Sequence, residues 1–191
     1  MYESVIMAGF GGQGVMLMGQ ILCFAAMAEG RKVTWMPAYG PEMRGGTANC
    51  TVILSSDRIG SPITTHPDSL LALNRPSLDR FEKWLKPGGV LIFNTSLVGR
   101  RPERDDLRLV PVPANRIAEE VGTLQVANMV ALGAYVGACQ CVSLDSLFSS
   151  LRQTIPQHRR EWLPLNETGL RRGAEYAAGA VEARRRSLLQ P

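Results

Sequence analysis

The chain has 191 residues, 45% of them hydrophobic and 20% charged, and a formal net charge of +4. That balance is typical of a soluble globular protein, and the length fits one domain, residues 1–191, with room for a substantial core. No run approaches the roughly 18–20 uninterrupted apolar residues of a membrane span, and the first residues lack a basic segment followed by a cleavable apolar one, so the expected compartment is the cytoplasm.

In chain order, Val5-Ile6-Met7-Ala8 predicts a first strand. It runs into Gly9, Phe10, Gly11, Gly12, Gln13 and Gly14, and then into a small-residue apolar segment through Leu17, Ile21, Leu22 and Ala25. A strand, a glycine turn and a helix start in that order make an anion-binding nest, because the first helical N–H groups have no partner within the helix. The same glycines also let a first helix sit close on a first strand in proteins that bind no nucleotide. A dinucleotide site places a ribose-holding acid about twenty residues further on. Here Lys32-Val33-Thr34-Trp35-Met36, the second strand candidate, ends without a carboxylate; Glu29 comes too early and Glu42 belongs to another motif. The expectation is therefore a non-dinucleotide anion site at residues 9–14, or a purely structural seat for the helix.

Ala48–Ser55 reads as the next strand, with Ser56-Asp57-Arg58 turning into Ile59-Gly60-Ser61 to form an antiparallel hairpin. Ser69–Leu73 reads as a short buried strand. Ser77–Leu85 reads as a helix closed by Lys86-Pro87-Gly88-Gly89. Val90–Asn94 and Leu107–Val112 complete the strands, and Asn115–Val121, Asn128–Ala138, Leu144–Ile155 and Glu167–Arg186 are helical. Leu147, Leu151 and Ile155 share one stripe. Alternating strands and helices followed by a run of helices predict an α/β protein: a three-layer Rossmann-like domain with a mostly parallel sheet, one antiparallel hairpin and a helical C-terminal portion.

Cys23, Cys50, Cys139 and Cys141 lack the spacing of a disulfide framework, a zinc site or an iron–sulfur cluster. Cys139 and Cys141, two positions apart on a helix, would diverge, so all four read as buried structural cysteines. His66, His158 and Ser96 have no convergent partners in sequence and carry no catalytic expectation. The basic excess sits late, at Arg159-Arg160, Arg171-Arg172 and Arg184-Arg185-Arg186, without interleaved aromatics. It argues for solvated helix faces or an acidic partner rather than for nucleic acid.

The densest functional signal follows Pro37-Ala38: Tyr39, Gly40, Pro41, Glu42, Met43, Arg44, Gly45, Gly46 and Thr47, then Ala48-Asn49-Cys50. Glycines and prolines fix an irregular backbone there, while Tyr39, Glu42 and Arg44 offer an aromatic face, a carboxylate and a guanidinium. Such a segment contributes little regular hydrogen bonding, and loops of this composition usually recognise something; a salt bridge between Glu42 or Arg44 and other side chains that pins the loop is the plainer alternative.

Together with Gly9–Gly14, Ile59-Gly60-Ser61-Pro62, Leu73-Asn74-Arg75-Pro76-Ser77, Lys86-Pro87-Gly88-Gly89 and Ala127-Asn128-Met129-Val130-Ala131-Leu132-Gly133-Ala134, this segment resembles the gamma subunit of 2-oxoacid:ferredoxin oxidoreductases, of the 2-oxoglutarate and 2-oxoisovalerate type. The small subunit of indolepyruvate:ferredoxin oxidoreductases is similar at the glycine loop and at Arg44-Gly45-Gly46, but departs from the Tyr39–Met43 stretch. The resemblance implies a complex that decarboxylates a 2-oxoacid, 2-oxoglutarate first and a branched-chain acid next, to acyl-coenzyme A with electrons passing to ferredoxin. It also implies that thiamine diphosphate, magnesium and iron–sulfur clusters sit on alpha, beta and ferredoxin-like delta subunits, because their motifs are absent here. This chain is then expected to be non-catalytic and inactive alone. Residues 39–47 would form an interface with Arg44 as its strongest charged contact, and residues 9–14 would receive coenzyme A diphosphate or nothing. Dimerisation of the isolated chain through its partner-facing surface is a further expectation, and a stand-alone anion- or nucleotide-binding module is the competing class.

Overall fold

A computed structural model describes residues 1–39 and 47–188. Residues 40–46, and with them the expectations placed on Gly40, Pro41, Glu42, Met43, Arg44, Gly45 and Gly46, lie outside the described residues.

The elements are β1 (Tyr2–Phe10), α1 (Val15–Ala28), β2 (Lys32–Tyr39), β3 (Thr47–Ser55), β4 (Ser69–Ala72), α2 (Arg75–Phe81), β5 (Val90–Asn94), α3 (Thr95–Val98), β6 (Arg108–Val112), α4 (Ala114–Val121), α5 (Ala127–Cys139), α6 (Leu144–Thr154) and α7 (Leu163–Leu188). The sheet runs β2-β3-β1-β4-β5-β6. Pairings β1–β4, β4–β5 and β5–β6 are parallel, while β3 lies antiparallel to both β1 and β2. The antiparallel hairpin is therefore β2–β3, joined through residues 40–46. Ser56-Asp57-Arg58, expected to turn into a strand at Ile59-Gly60-Ser61, is followed by no strand before Ser69. The reason is positional: the edge of β3 that a strand at Ile59 would need is occupied by β1, from Tyr2↔Ser55 to Phe10↔Thr47.

Alternation along the strands fills both faces of the sheet. Val5 and Met7 of β1, Leu71 of β4, Ile92 of β5 and Val110 of β6 face one way, into a core shared with α1, α4, α5, α6 and α7. Ile6, Ala8, Leu70, Ala72, Leu91 and Phe93 face the other way, against Leu78 and Phe81 of α2, Leu85, and Val98 of α3. These are the three layers that the alternating pattern implied.

The start of α2 lies two residues before its predicted position, because Asn74 caps it. Its Oδ1 accepts the Ser77 N–H at 3.0 Å, and Pro76 fits the first turn, where no N–H is needed. Such a cap stabilises a helix by about 1 kcal/mol. Asn94, at the end of β5, is buried and does more. Its Oδ1 accepts from Ser96 and Ala114 N–H, and its Nδ2 donates to Leu73 O and Asn115 Oδ1, so one amide joins the residue that follows β4 to α3 and α4. The paired helices α5 and α7 touch backbone to backbone through glycines: a Cβ on Gly137 would meet Ala174 O at 2.8 Å.

Candidate functional site

Gly9 and Phe10 end β1, and Gly11 to Gly14 link it to α1 at the carboxyl end of the parallel strands, where ligands of open α/β sheets sit. Gly12 and Gly14 take φ of +93° and +75°, a conformation that penalises any residue with a Cβ. Gly14 is the N-cap of α1 and supplies no side chain, and the first intrahelical bond runs from Met18 N–H to Gly14 O at 3.1 Å. The N–H groups of the first turn, Val15 to Leu17, are left for an external acceptor.

Gln13 is turned away from that opening. Its Oε1 accepts the Phe10 N–H at 2.6 Å and the Asn74 Nδ2 at 3.0 Å, and its own N–H reaches Phe10 O at 3.1 Å. Gln13 thus ties the glycine loop to the cap of α2 and holds the loop open. Gly9 has a packing reason of its own: a Cβ there would lie 2.7 Å from Gln13 Oε1 and 3.0 Å from Val15 Cγ2.

Above the loop lies a cleft of about 990 Å³. One wall is Phe10, Gly11, Gly12, Gly14 and the first turns of α1 to Gln20; Thr47 and Ala48 of β3 adjoin it. Gly9 and Gln13 do not line it, whereas Thr47 does, paired with Phe10 in the β1–β3 register. Thr47, the last residue of the second motif singled out in the sequence, therefore meets the glycine loop at one rim.

The opposite wall was not foreseen. It consists of Gln125, Val126 and Asn128 at the start of α5, Ile155 and Pro156, Arg159 and Trp162 of a 3₁₀ segment at Gln157–Trp162, and Asn166 of α7. Asn166 Nδ2 donates to Trp162 O at 2.7 Å and fixes the 3₁₀ segment to α7. Asn128 is 9% exposed; its Oδ1 accepts the Met129 N–H at 2.9 Å, while its Nδ2 lies against Gly14 and bonds to nothing among the described residues. An amide among Ala127, Met129, Val130, Ala131 and Leu132 was the available sequence signal. Arg159 and Trp162 had none, because only tertiary folding brings them over the loop.

The other end of the sheet is polar but closed. Glu3 Oε1 accepts from Ser69 Oγ at 2.5 Å and from Tyr135 OH at 3.2 Å, with Cys139 Sγ 3.7 Å from Ser69 Oγ. Burial raises the Glu3 carboxyl above its usual range against the pull of the Ser69 hydrogen bond, and it pushes Tyr135 well above the ordinary phenol. Burial also pushes the Cys23, Cys50 and Cys141 thiols up to about 12 and that of Cys139 to about 11, so none is a ready nucleophile. Cys139 ends α5 and Cys141 lies beyond it, because Gln140 takes the left-handed conformation at φ 51°. Among the described residues, His66 bonds only with the adjacent Thr65 hydroxyl, at 3.0 Å. No group of three or more His, Cys, Asp or Glu among the described residues is placed to hold a metal, and no described helix is long and apolar enough to cross a membrane.

A family model described as pyruvate ferredoxin/flavodoxin oxidoreductase matches residues 4–176, which include both walls of the cleft. The chain belongs to that family. It is 41% identical over 180 residues to ketoisovalerate oxidoreductase subunit VorA of Methanothermobacter marburgensis, covering 93% of this chain but 37% of VorA. It is 34% identical over 165 residues to 2-oxoglutarate synthase subunit KorC of Methanocaldococcus jannaschii, covering 84% of this chain and 88% of KorC. The chain thus spans about a third of the length of VorA but most of KorC. The crystal structure of the keto/oxoacid ferredoxin oxidoreductase gamma subunit from Geobacter sulfurreducens superposes with a TM-score of 0.81 at 31% identity, covering 93% of this chain and 99% of that one. The gamma-subunit resemblance and the α/β architecture read from the motifs are thereby shown.

Proposed function

We propose that this chain is the gamma subunit of a 2-oxoacid:ferredoxin oxidoreductase complex and that its cleft contacts coenzyme A. The observation that carries the reading is the juncture of the open first turn of α1 with the start of β3. An anion receptor and the end of the family's densest motif share one rim, as expected of a surface that presents a ligand to a partner. The complex would oxidise a 2-oxoacid to acyl-coenzyme A and pass electrons to ferredoxin, with thiamine diphosphate, magnesium and iron–sulfur clusters on the alpha, beta and delta subunits.

The residues present fit a diphosphate. Gly12 and Gly14 leave the backbone bare, the first-turn N–H groups of α1 converge above them, and Asn128 adds an unpaired amide. Coenzyme A supplies the acyl-accepting thiol when bound; the role of this chain is to hold and orient the nucleotide end, with no group of its own in the bond-making step. The motifs do not separate the two candidate acids, of which the resemblance put 2-oxoglutarate first, while the higher identity to VorA favours a branched-chain acid.

The test is co-expression with the genomic neighbours, affinity purification, and viologen reduction dependent on both 2-oxoacid and coenzyme A. A coloured complex whose turnover needs this chain is the expected result, and the faster acid names the substrate. A chain that purifies alone and binds small anions tightly would instead favour the stand-alone module.

A further inference from the structure

The outer face of α1 departs from the rest of the surface. Helices α4 and α7 present charges outward, Arg116, Glu119 and Glu120 on one and Arg171, Arg172 and Glu175 on the other. From Val15 to Ala28, α1 carries no charge. In this it matches α5, which also has no charged residue but lies under α7 with most of its residues buried. A helix that is apolar all round belongs in an interior. Yet Phe24 is 45% and Met27 54% exposed, three residues apart on the side of α1 opposite its buried residues, and nothing among the described residues covers them. The patch continues onto the sheet edge, where β2 is the outermost strand. Val33 and Trp35 pack, partly covered, on the core that α1 completes, and Trp35 Nε1 lies where a Cβ on Gly19 would go. Gly19, Cys23 and Met27 form one ridge of α1, so Trp35 adjoins the Met27 side. Pro37 follows on the same face of β2, exposed.

We infer that this face, Phe24 and Met27 of α1 with Trp35 and Pro37 of β2, docks an uncharged apolar surface of a different polypeptide, the counterpart of the part of VorA that lies outside the match. The inference rests on the reading of this chain as a subunit and adds the surface that holds the partner. Two observations choose that occupant. VorA carries more than half of its length, besides the matching unit, in the same chain, and a permanent association of that kind goes with an apolar face, where a transient one would be polar. A second copy of this chain extending the sheet is disfavoured by Lys32 and Pro37, which guard β2 against strand addition. What the edge offers is side chains, and a contiguous apolar patch of this kind marks a protein contact.

The experiment co-expresses the full chain with the genomic neighbour whose sequence matches that remainder of VorA, and reads assembly by co-purification and sedimentation. The double variant Phe24→Glu, Met27→Glu places two carboxylates on the patch and should cut co-purification by about tenfold or more. Glu175→Lys, on the charged face of α7, should leave it unchanged. Thermal melts of the isolated chains check that each variant folds. Phe24→p-benzoylphenylalanine, which keeps an aromatic ring at the position, should cross-link to the neighbour on illumination whether or not the double variant is stable. Full assembly of a folded double variant, an equal loss in Glu175→Lys, or cross-links from position 24 to a second copy of this chain overturns the docking inference while the subunit reading stands. A parent chain that holds no neighbour overturns both.

Discussion

Asn128 Nδ2 occupies the space that a Cβ on Gly14 would need. Gly14 also holds φ at +75°, so two separate costs confront any larger residue there. The left-handed backbone costs roughly 1–2 kcal/mol, and displacing a buried amide adds a comparable amount. Gly14→Ala is expected to destabilise the protein by about 2–4 kcal/mol. In an Asn128→Ala background, which opens that space, the added cost should fall to about 1–2 kcal/mol, the backbone part alone. Urea unfolding of the four proteins in the cycle measures the difference, and equal costs in both backgrounds would show that the contact does not exist.

The paired helices α5 and α7 give a sharper contrast among glycines. A Cβ on Gly133 would run into Leu170 O, and one on Gly173 into Val130 O, both backbone atoms that cannot swing aside. Gly60 has an ordinary φ and open space around it. Gly133→Ala and Gly173→Ala should each cost about 3 kcal/mol or more, because the helices must separate along their whole contact. Gly60→Ala should stay within about 0.5 kcal/mol of the parent. Thermal melts of the three variants settle the order.

Much of this architecture was legible because periodicity is local. The run of β1, the stripe of Leu147 and Leu151, and the stop at Lys86-Pro87-Gly88-Gly89 each follow from a few adjacent residues. One expectation failed where strand pairing decided the outcome, and one wall of the cleft was missed because tertiary docking places it. The turn at Ser56-Asp57-Arg58 has hairpin chemistry, but β1 already holds the edge of β3 that a following strand would use. The 3₁₀ segment at Gln157–Trp162 has no amphipathic period, and its place over the glycine loop depends on where α6 and α7 dock, so Arg159 and Trp162 could not be read as site residues.

The polar stretch 99–106, the most linker-like part of the sequence, is anchored by a buried carboxylate. Glu82 Oε1 accepts the N–H groups of Glu103 and Arg104, the latter at 3.0 Å, and Oε2 accepts Arg100 Nη2 at 2.9 Å; the Glu82 side chain is 5% exposed. Removing it strands two amides and a largely covered guanidinium. Glu82→Ala is expected to cost about 2–4 kcal/mol. Hydrogen exchange should show faster amides at 103 and 104 and unchanged ones in β1. Retained protection at both positions would mean that the carboxylate does not hold the loop.

Glu3 on β1 and Asp68, the residue before β4, are near neighbours whose carboxyls shift in opposite senses. Burial alone would raise the Asp68 carboxyl. Lys86 Nζ at 2.6 Å and the Ser4 hydroxyl and N–H outweigh it, and hold Asp68 below its ordinary 3.8. For Glu3, burial and the nearby Asp68 charge outweigh the Ser69 and Tyr135 hydrogen bonds and lift it above 4.5. A lowered acid contributes stability above its unfolded value and loses it as pH falls through the folded one. A raised acid contributes stability below its unfolded value and loses it as pH rises through the folded one. Glu3→Gln keeps an oxygen for Ser69 and Tyr135 but removes the buried charge, so it should raise the Tm at pH 7 and leave it close to the parent below about pH 4. Asp68→Asn should do the reverse, lowering the Tm at pH 7 and narrowing the difference from the parent as pH falls below 3.8. Melts of the three proteins across pH 3–7 test the signs, and a Glu3→Gln protein less stable at pH 7 than at pH 4, relative to the parent, would show that the carboxylate is stabilised by its surroundings rather than strained.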